Sequence, residues 1–226
     1  MPFTAKSGKF NASINAVEFG TGDKAVKIGG ENVFPLYSFD AAIENAPKVG
    51  IEITDFGMEH EPECIKKYYE GCATLADMAR KAASMEGVDF LSFRMEGGDP
   101  NGANKSTEEL IGELKEIADA VDLPLVVCGC KNVEKDAELF SKAAEALNGK
   151  NAVILSAKEE NYKTVGAAAG LAYKQVVGAE SAVDINLAKQ LNVLISQLGV
   201  DSKSVVMNVG SAAVGYGFEY VISTMD

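Results

Sequence analysis

Side chains able to do chemistry gather in six short stretches of this sequence, each placed just after an apolar run. They are Asp55-Phe-Gly57, Glu96-Gly-Gly-Asp-Pro-Asn-Gly-Ala-Asn104, Gly129-Cys130, residues 157–161, residues 180–186 and residues 210–217. Together they offer carboxylates, amides and glycine-rich backbone, with few cations. Amides and carboxylates hold polar ligands by hydrogen bonds, and glycine lets a bulky ligand approach the main chain. The longest stretch, 96–104, contains Asp-Pro-Asn-Gly, which is turn chemistry in its own right. A plain turn and a binding loop are equally open readings of it.

Several chemistries lack their residues. No G-x-G-x-x-G follows the first strand and no P-loop lysine is present, which argues against a dinucleotide or nucleotide site. The one histidine, His60 in Met-Glu-His-Glu-Pro, reads as an exposed loop residue rather than a catalyst. There is no Asp-x-His-x-x-Gly of the kind that gives cobalt a histidine ligand. No lysine sits within the fourth to sixth strands, where a Schiff-base aldolase would need one. Cys64 and Cys72 fall eight apart on what reads as one helix, and Cys128 and Cys130 form a Cys-x-Cys at a strand end. Neither spacing is that of a zinc or iron–sulfur site, so reduced thiols without a required role are expected. No catalytic set and no metal set emerges. The loops suit holding a large polar cofactor better than unaided chemistry.

The elements that must position these loops repeat. Six times from Val49 onward the chain reads apolar strand, short polar loop and amphipathic helix, the pattern of a parallel α/β sheet. Strands are predicted over 49–54, 88–95, 124–128, 152–156, 175–178 and 204–208. Helices are predicted over 63–84, from a Ser106/Glu109 capping box onward, and over 134–147, 160–174, 184–198 and 216–225. In such folds ligands bind at the carboxyl ends of the strands, where the six loops lie. Gly166 and Gly170 inside one helix point to close helix–sheet packing. Before the repeats, alternation over 12–18 and again over 25–28, around a turn at Thr21-Gly22-Asp23, predicts a β-hairpin that could plug the bottom of a barrel. Residues 1–48 thus read as hairpin and connector, and 49–226 as the barrel part of one domain.

Net charge is −12, from 21 basic and 33 acidic residues. That field repels nucleic acid and anionic membrane, and neither is expected as a partner. The N-terminus has no apolar signal region, and no later run is long enough to span a bilayer. A soluble cytoplasmic protein is expected.

Five strings then become informative together: Gly97-Gly-Asp-Pro-Asn-Gly-Ala-Asn104, Pro124-Leu-Val-Val-Cys-Gly-Cys-Lys-Asn-Val-Glu-Lys-Asp136, Glu160-Asn-Tyr-Lys163, Val183-Asp-Ile-Asn-Leu-Ala-Lys-Gln-Leu-Asn-Val-Leu-Ile195 and Gly215-Tyr-Gly-Phe-Glu-Tyr220. In this order, and over residues 10–226, the chain resembles the small (delta) subunit of the corrinoid/iron–sulfur protein of the CO dehydrogenase/acetyl-CoA synthase system. The resemblance implies a TIM (β/α)8 barrel paired with a large (gamma) subunit that carries a [4Fe–4S] cluster and a corrinoid domain. Cobalamin would lie at the interface, capped by the mouth of this barrel. It implies methyl transfer from methyltetrahydrofolate, or methyltetrahydrosarcinapterin in archaea, through a methyltransferase to the cobalt. Delivery to acetyl-CoA synthase follows, in the Wood–Ljungdahl pathway.

By position in the loops, Asp99, Asn101, Asn104, Asn161, Asp184 and Asn186 are expected on the corrinoid-facing or partner-facing surface. Members of that family continue through two more β/α units, roughly 60 residues at about 30 per unit. The expectation is therefore about six units of a barrel: a fragment, an incompletely described chain or a truncated gene product. Two other readings stay open. One is a pterin-dependent methyltransferase on the same barrel, with Asp184-Ile-Asn186 holding the pterin. The other is an unrelated α/β barrel acting on a sugar or acid.

Overall fold

The computed structural model describes residue 8 and residues 11–33 and 42–226. The part of the expected connector at 34–41 lies outside them, as does the start of the resemblance at residue 10. A short antiparallel ribbon comes first. β1 (Val17–Phe19) pairs with β2 (Val26–Ile28) around a 3-10 turn at Gly22–Lys24, with Glu18 opposite Lys27. The alternation from residue 12 outruns the pairing, and Ile14 is exposed.

Six parallel strands then form one sheet in sequence order: β3 (Gly50–Thr54), β4 (Phe90–Arg94), β5 (Leu125–Cys128), β6 (Val153–Ala157), β7 (Val176–Glu180) and β8 (Val205–Asn208). β3 and β8 are its edges among the described residues. The connecting helices are α1 (Glu63–Tyr68), α2 (Leu75–Ala83), α3 (Thr107–Ala120), α4 (Val133–Ala146), α5 (Tyr162–Val165) and α6 (Ile185–Gln197), and α7 (Phe218–Met225) follows β8.

Strands added in one direction, each by a right-handed crossover, send every helix to the same face. The packing shows the result as two separate cores. On the helix-covered face, Leu91, Phe93, Val127 and Ile154 meet Leu110 and Leu114 of α3, Leu139 of α4 and Leu191 of α6. Phe93 is 1% exposed, and complete burial of a side chain of this size stabilises by about 1.5–3 kcal/mol. On the opposite, inner face, Val126, Val153 and Val176 meet Val17, Phe19 and Val26 of the hairpin. Both faces of β5 are covered, so its sequence is an unbroken apolar run, LVVC.

The hairpin sits at the N-terminal ends of the strands. Phe19 meets Phe90 edge to face at 5.7 Å. Gly20 N–H donates to the Asn151 carbonyl at 2.7 Å, and Asn151 Nδ2 donates to the Glu18 and Gly20 carbonyls at 3.0 and 3.3 Å. A Cβ on Gly20 would lie 2.4 Å from Pro124 Cγ, so glycine is what lets the turn close on the sheet.

Three elements differ from expectation. The helix predicted over 63–84 is two helices. Gly71, at φ 88°, turns the chain between them, and a reciprocal capping box of Thr74 and Asp77 starts α2 afresh. Cys64 and Cys72 therefore do not share a helix. The helix predicted over 160–174 is α-helical only through α5 and continues as a π-helix over Gly166–Ala172. Its glycines have the predicted reason: a Cβ on Gly170 would stand 2.7 Å from Val200 Cγ2 and 3.2 Å from Val177 Cγ2. Strand β7 runs on to Glu180, two residues beyond its expected end, because Glu180 pairs in register with Asn208. At α3, the Ser106 half of the expected capping box forms, with Ser106 Oγ accepting from Glu109 N–H at 3.1 Å.

Candidate functional site

With the N-terminal end stoppered, the polar part of the inner face lies toward the carboxyl ends of the strands. Alternation decides what stands there. Along β4 the inward residues are Phe90, Ser92 and Arg94, passing from ring to hydroxyl to guanidinium in five residues. On β3, Glu52 pairs in register with Ser92, which puts its carboxylate beside Arg94. The two join by a bidentate bond, Nε to Oε1 at 2.9 Å and Nη2 to Oε2 at 2.8 Å. The Glu52 carboxylate pushes the Arg94 pKa up, against the opposing effect of burial. Ser92 Oγ stands 3.5 Å from both Glu52 Oε2 and Cys128 Sγ.

A cavity of about 350 Å³ occupies this mouth. Its walls come from the ends of five strands: Arg94, Cys128, Leu155, Glu180 and Asn208. Its rim carries Lys131, Asp136, Lys158 and the backbone of Gly129 and Gly210. Lys158 Nζ lies 3.8 Å from Glu180 Oε1, an ion pair without a hydrogen bond. Lys131 is exposed in left-handed backbone, φ 72°. Asp136, in the first turn of α4, is buried and accepts from Cys130 N–H at 2.7 Å and from the Cys130 thiol at 3.2 Å. Gly129 makes room for it, since a Cβ there would lie 2.2 Å from Asp136 Oδ1. Burial pushes the Asp136 carboxyl above the usual range and the Cys130 thiol up to about 11, and burial also raises Cys128. Neither thiol is therefore a thiolate at neutral pH, and neither is equipped as a nucleophile.

A second polar cluster braces the loops of β3 and β4. The buried Asp55 carboxylate accepts twice from Gly97 N–H, at 2.9 and 3.1 Å, and lies 3.1 Å from Lys105 Nζ. Lys105 also reaches Glu113 at 3.2 Å. Burial raises the Glu113 pKa even beside that cation. Lys105, whose charge burial opposes, is held up by its bonds to Asp55 and Glu113.

The six residues picked out by loop position all lie toward the carboxyl ends of the strands, but none lines the cavity. Asp99 and Asn101 come together. Asp99 Oδ1 accepts from Asn101 N–H at 2.9 Å and from Asn101 Nδ2 at 3.3 Å, so 96–104 has the turn geometry that its sequence allowed. Asn104 is exposed in the same loop, at φ 50°. Asn161 is buried, and its Oδ1 accepts from Lys158 N–H at 2.7 Å, which shapes the loop that presents Lys158. Asp184 caps α6 by accepting from the N–H groups of Asn186 and Leu187, and the Asn186 side chain is exposed.

The expectation of few cations does not hold at the cavity, where Arg94, Lys131 and Lys158 gather. Arg94 and Asn208 escaped the loop-based reading because they belong to strands, whereas Glu180 opened the stretch 180–186 and ends β7. The available signal was a polar or charged residue at the end of a mostly apolar strand. Among the described residues, no group of three or more His, Cys, Asp or Glu side chains could hold a metal ion, and no helix is long and apolar enough to cross a membrane.

Fold and site together define a class: a parallel α/β scaffold whose inner face is covered by a hairpin at one end and carries a polar cavity at the other. Comparison with known proteins makes this particular. The family model for the CO dehydrogenase/acetyl-CoA synthase delta subunit matches residues 16–226, and the chain belongs to that family. Its relatives include proteins named acetyl-CoA decarbonylase/synthase complex subunit delta. The one from Methanothermobacter thermautotrophicus is 31% identical over 219 residues, covering 96% of this chain and 56% of that protein. The one from Methanocaldococcus jannaschii is 31% identical over 225 residues, 96% of this chain and 55% of that protein. The one from Methanopyrus kandleri is 32% identical over 208 residues, 91% and 51%. The chain thus spans about half the length of the curated relatives it matches.

Proposed function

We propose that this chain is the barrel-forming part of a delta subunit that caps a corrinoid held by a large (gamma) corrinoid/iron–sulfur subunit during methyl transfer. The methyl group comes from methyltetrahydrofolate or its archaeal counterpart through a methyltransferase, and goes to acetyl-CoA synthase. The family match over residues 16–226 carries this reading. The architecture supports it. Six parallel strands in sequence order, with the helices packed against one face among the described residues, favour an arc of a (β/α)8 barrel over a doubly wound sheet, which needs helices on both faces. Two further strands between β8 and β3 would close it.

The residues at the mouth fit such a cofactor as a cap. A cavity of about 350 Å³ is at the small end of ligand pockets, so a corrinoid would cover it rather than enter it. When bound, the corrinoid supplies the cobalt that carries the methyl group. The chain's own part is to shield and position that group with polar side chains at the carboxyl ends of the strands: those that line the mouth and, around it, Asp99, Asn101, Asn104, Asp184 and Asn186, while the buried Asn161 acts through the loop that presents Lys158.

A pull-down with this chain as bait tests the reading. Retention of a cobalamin-containing protein, with no stoichiometric cobalamin on the isolated chain, is the expected result. Tight cobalamin on the chain alone would count against it. Calorimetric binding of methyltetrahydrofolate without any corrinoid partner would instead favour a pterin-dependent methyltransferase.

A further inference from the structure

The mouth cavity holds more hydrogen-bond donors than its own acceptors use. Lys158 reaches Glu180 only at 3.8 Å, so among the described residues its ammonium donates no hydrogen bond, although the side chain is only 28% exposed. Lys131, on the same cavity, has no ion-pair partner among the described residues. Asn208 uses its Oδ1 to accept Gly210 N–H at 3.0 Å, and its amide nitrogen donates no hydrogen bond among the described residues. Among the carboxylates, Asp136 Oδ1 is taken by Cys130, and Glu52 by both arms of the Arg94 fork. Glu180 and Asp136 Oδ2 accept no hydrogen bond among the described residues, and Glu180 stands too far from Lys158 to hydrogen-bond. A half-buried ammonium such as that of Lys158 is costly without an acceptor, and an oxyanion satisfies it together with the exposed Lys131 and the Asn208 amide.

We propose that this cavity is a binding site for a small oxyanion, a phosphate or carboxylate group, held between the Lys131 and Lys158 ammonium groups with the Asn208 amide as third donor. Glu180 is the group that such an anion displaces from Lys158. The anion is either a free ion or the charged end of a larger ligand, and the cavity's size limits the enclosed part to a few heavy atoms. The inference does not rest on the corrinoid reading: a failed pull-down leaves it standing, and its own failure leaves that reading standing.

The test is titration of the 15N-labelled 226-residue chain with inorganic phosphate and, separately, with glutarate, at constant ionic strength, following the Gly129 and Gly210 amide signals. Saturable shifts are expected. A response to phosphate alone identifies a phosphorylated ligand, and a response to glutarate alone a carboxylate-bearing one. Lys131→Met and Lys158→Met should each weaken binding by about tenfold, the consequence of losing one charge-assisted hydrogen bond. Glu180→Gln should tighten it by about threefold by removing the competing carboxylate. Lys115→Met, on the outer groove between α3 and α4, should change nothing. Non-saturating shifts, a loss on Lys115→Met equal to that on Lys158→Met, or unchanged or weaker binding in Glu180→Gln would overturn the proposal.

Discussion

The two ends of the sheet's inner face are held by opposite means. At the N-terminal end, Val17, Phe19 and Val26 press on Val126, Val153 and Val176, and the residues in contact are nearly all dry. At the carboxyl end, about three residues further along the same strands, Glu52, Arg94, Lys158 and Glu180 form ion pairs that are 28–42% exposed. One strand, β4, makes the whole passage from Phe90 through Ser92 to Arg94. The lesson is that the hairpin decides which rows of this face are core. Rows beneath it are apolar because water is excluded there, and rows beyond it are free to carry charge. Stability should therefore reside at the first end and recognition at the second.

The contrast can be broken by mutation. The largest effect is expected from Phe19→Ala, which empties the stopper: a loss of about 3 kcal/mol in urea unfolding. A loss well under 1 kcal/mol would mean that the hairpin is an ornament rather than part of the core. Next comes Asn151→Ala, which removes two side-chain bonds to the hairpin backbone and should cost about 1 kcal/mol in the same assay. Glu52→Gln, at the other end, should cost only about 0.5 kcal/mol, and less at high salt, because the pair is partly solvated. A cost equal to that of Phe19→Ala would erase the distinction between the ends.

The smallest expected effect is a slope. Burial raises the Asp136 pKa in the folded chain, so folding favours its protonated form relative to the unfolded chain. Its contribution to stability is full below the ordinary aspartate range and is lost as pH rises through the raised value. The stability of the native chain relative to Asp136→Asn should accordingly fall between acidic and neutral pH in paired thermal melts. A flat or rising difference would contradict the assigned cause.

Much of this was legible from residue order. Apolar runs marked all six strands, and the stripe of Leu110, Leu114 and Ile117 marked α3, because burial on one or two faces leaves a periodic trace. Ser106 announced its helix because a cap is local chemistry. The break at Gly71 was hidden inside a continuing amphipathic pattern, which a helix and a helix–turn–helix share. The mouth was harder. Its loops could be named, and they supply Gly129, Lys158, Glu180 and Gly210, but Arg94 and Asn208 reach the cavity from the strands. Whether an alternating residue points to the helices or to the hairpin cannot be decided within one strand. That side is set by crossover handedness and by what covers the opposite face, both of which involve distant parts of the chain.

The hairpin's seat also sets an order of events for a chain made from its N-terminus. Each strand of the sheet lies beside the one before it, so successive units can add as they emerge. The ribbon is different. Its anchors, Asn151, Val153 and Val176, arrive more than a hundred residues after Glu18, with the Asn151–Glu18 bond spanning 133 positions. The ribbon is thus synthesised before the strands that it docks on and can dock only after them, through a long loop closure whose entropic cost is modest but whose contact is non-local. Until then Phe19 and Val26 stay wet, and the inner wall of the growing sheet is a bare apolar surface that a folding helper, or an unwanted neighbour, can reach first.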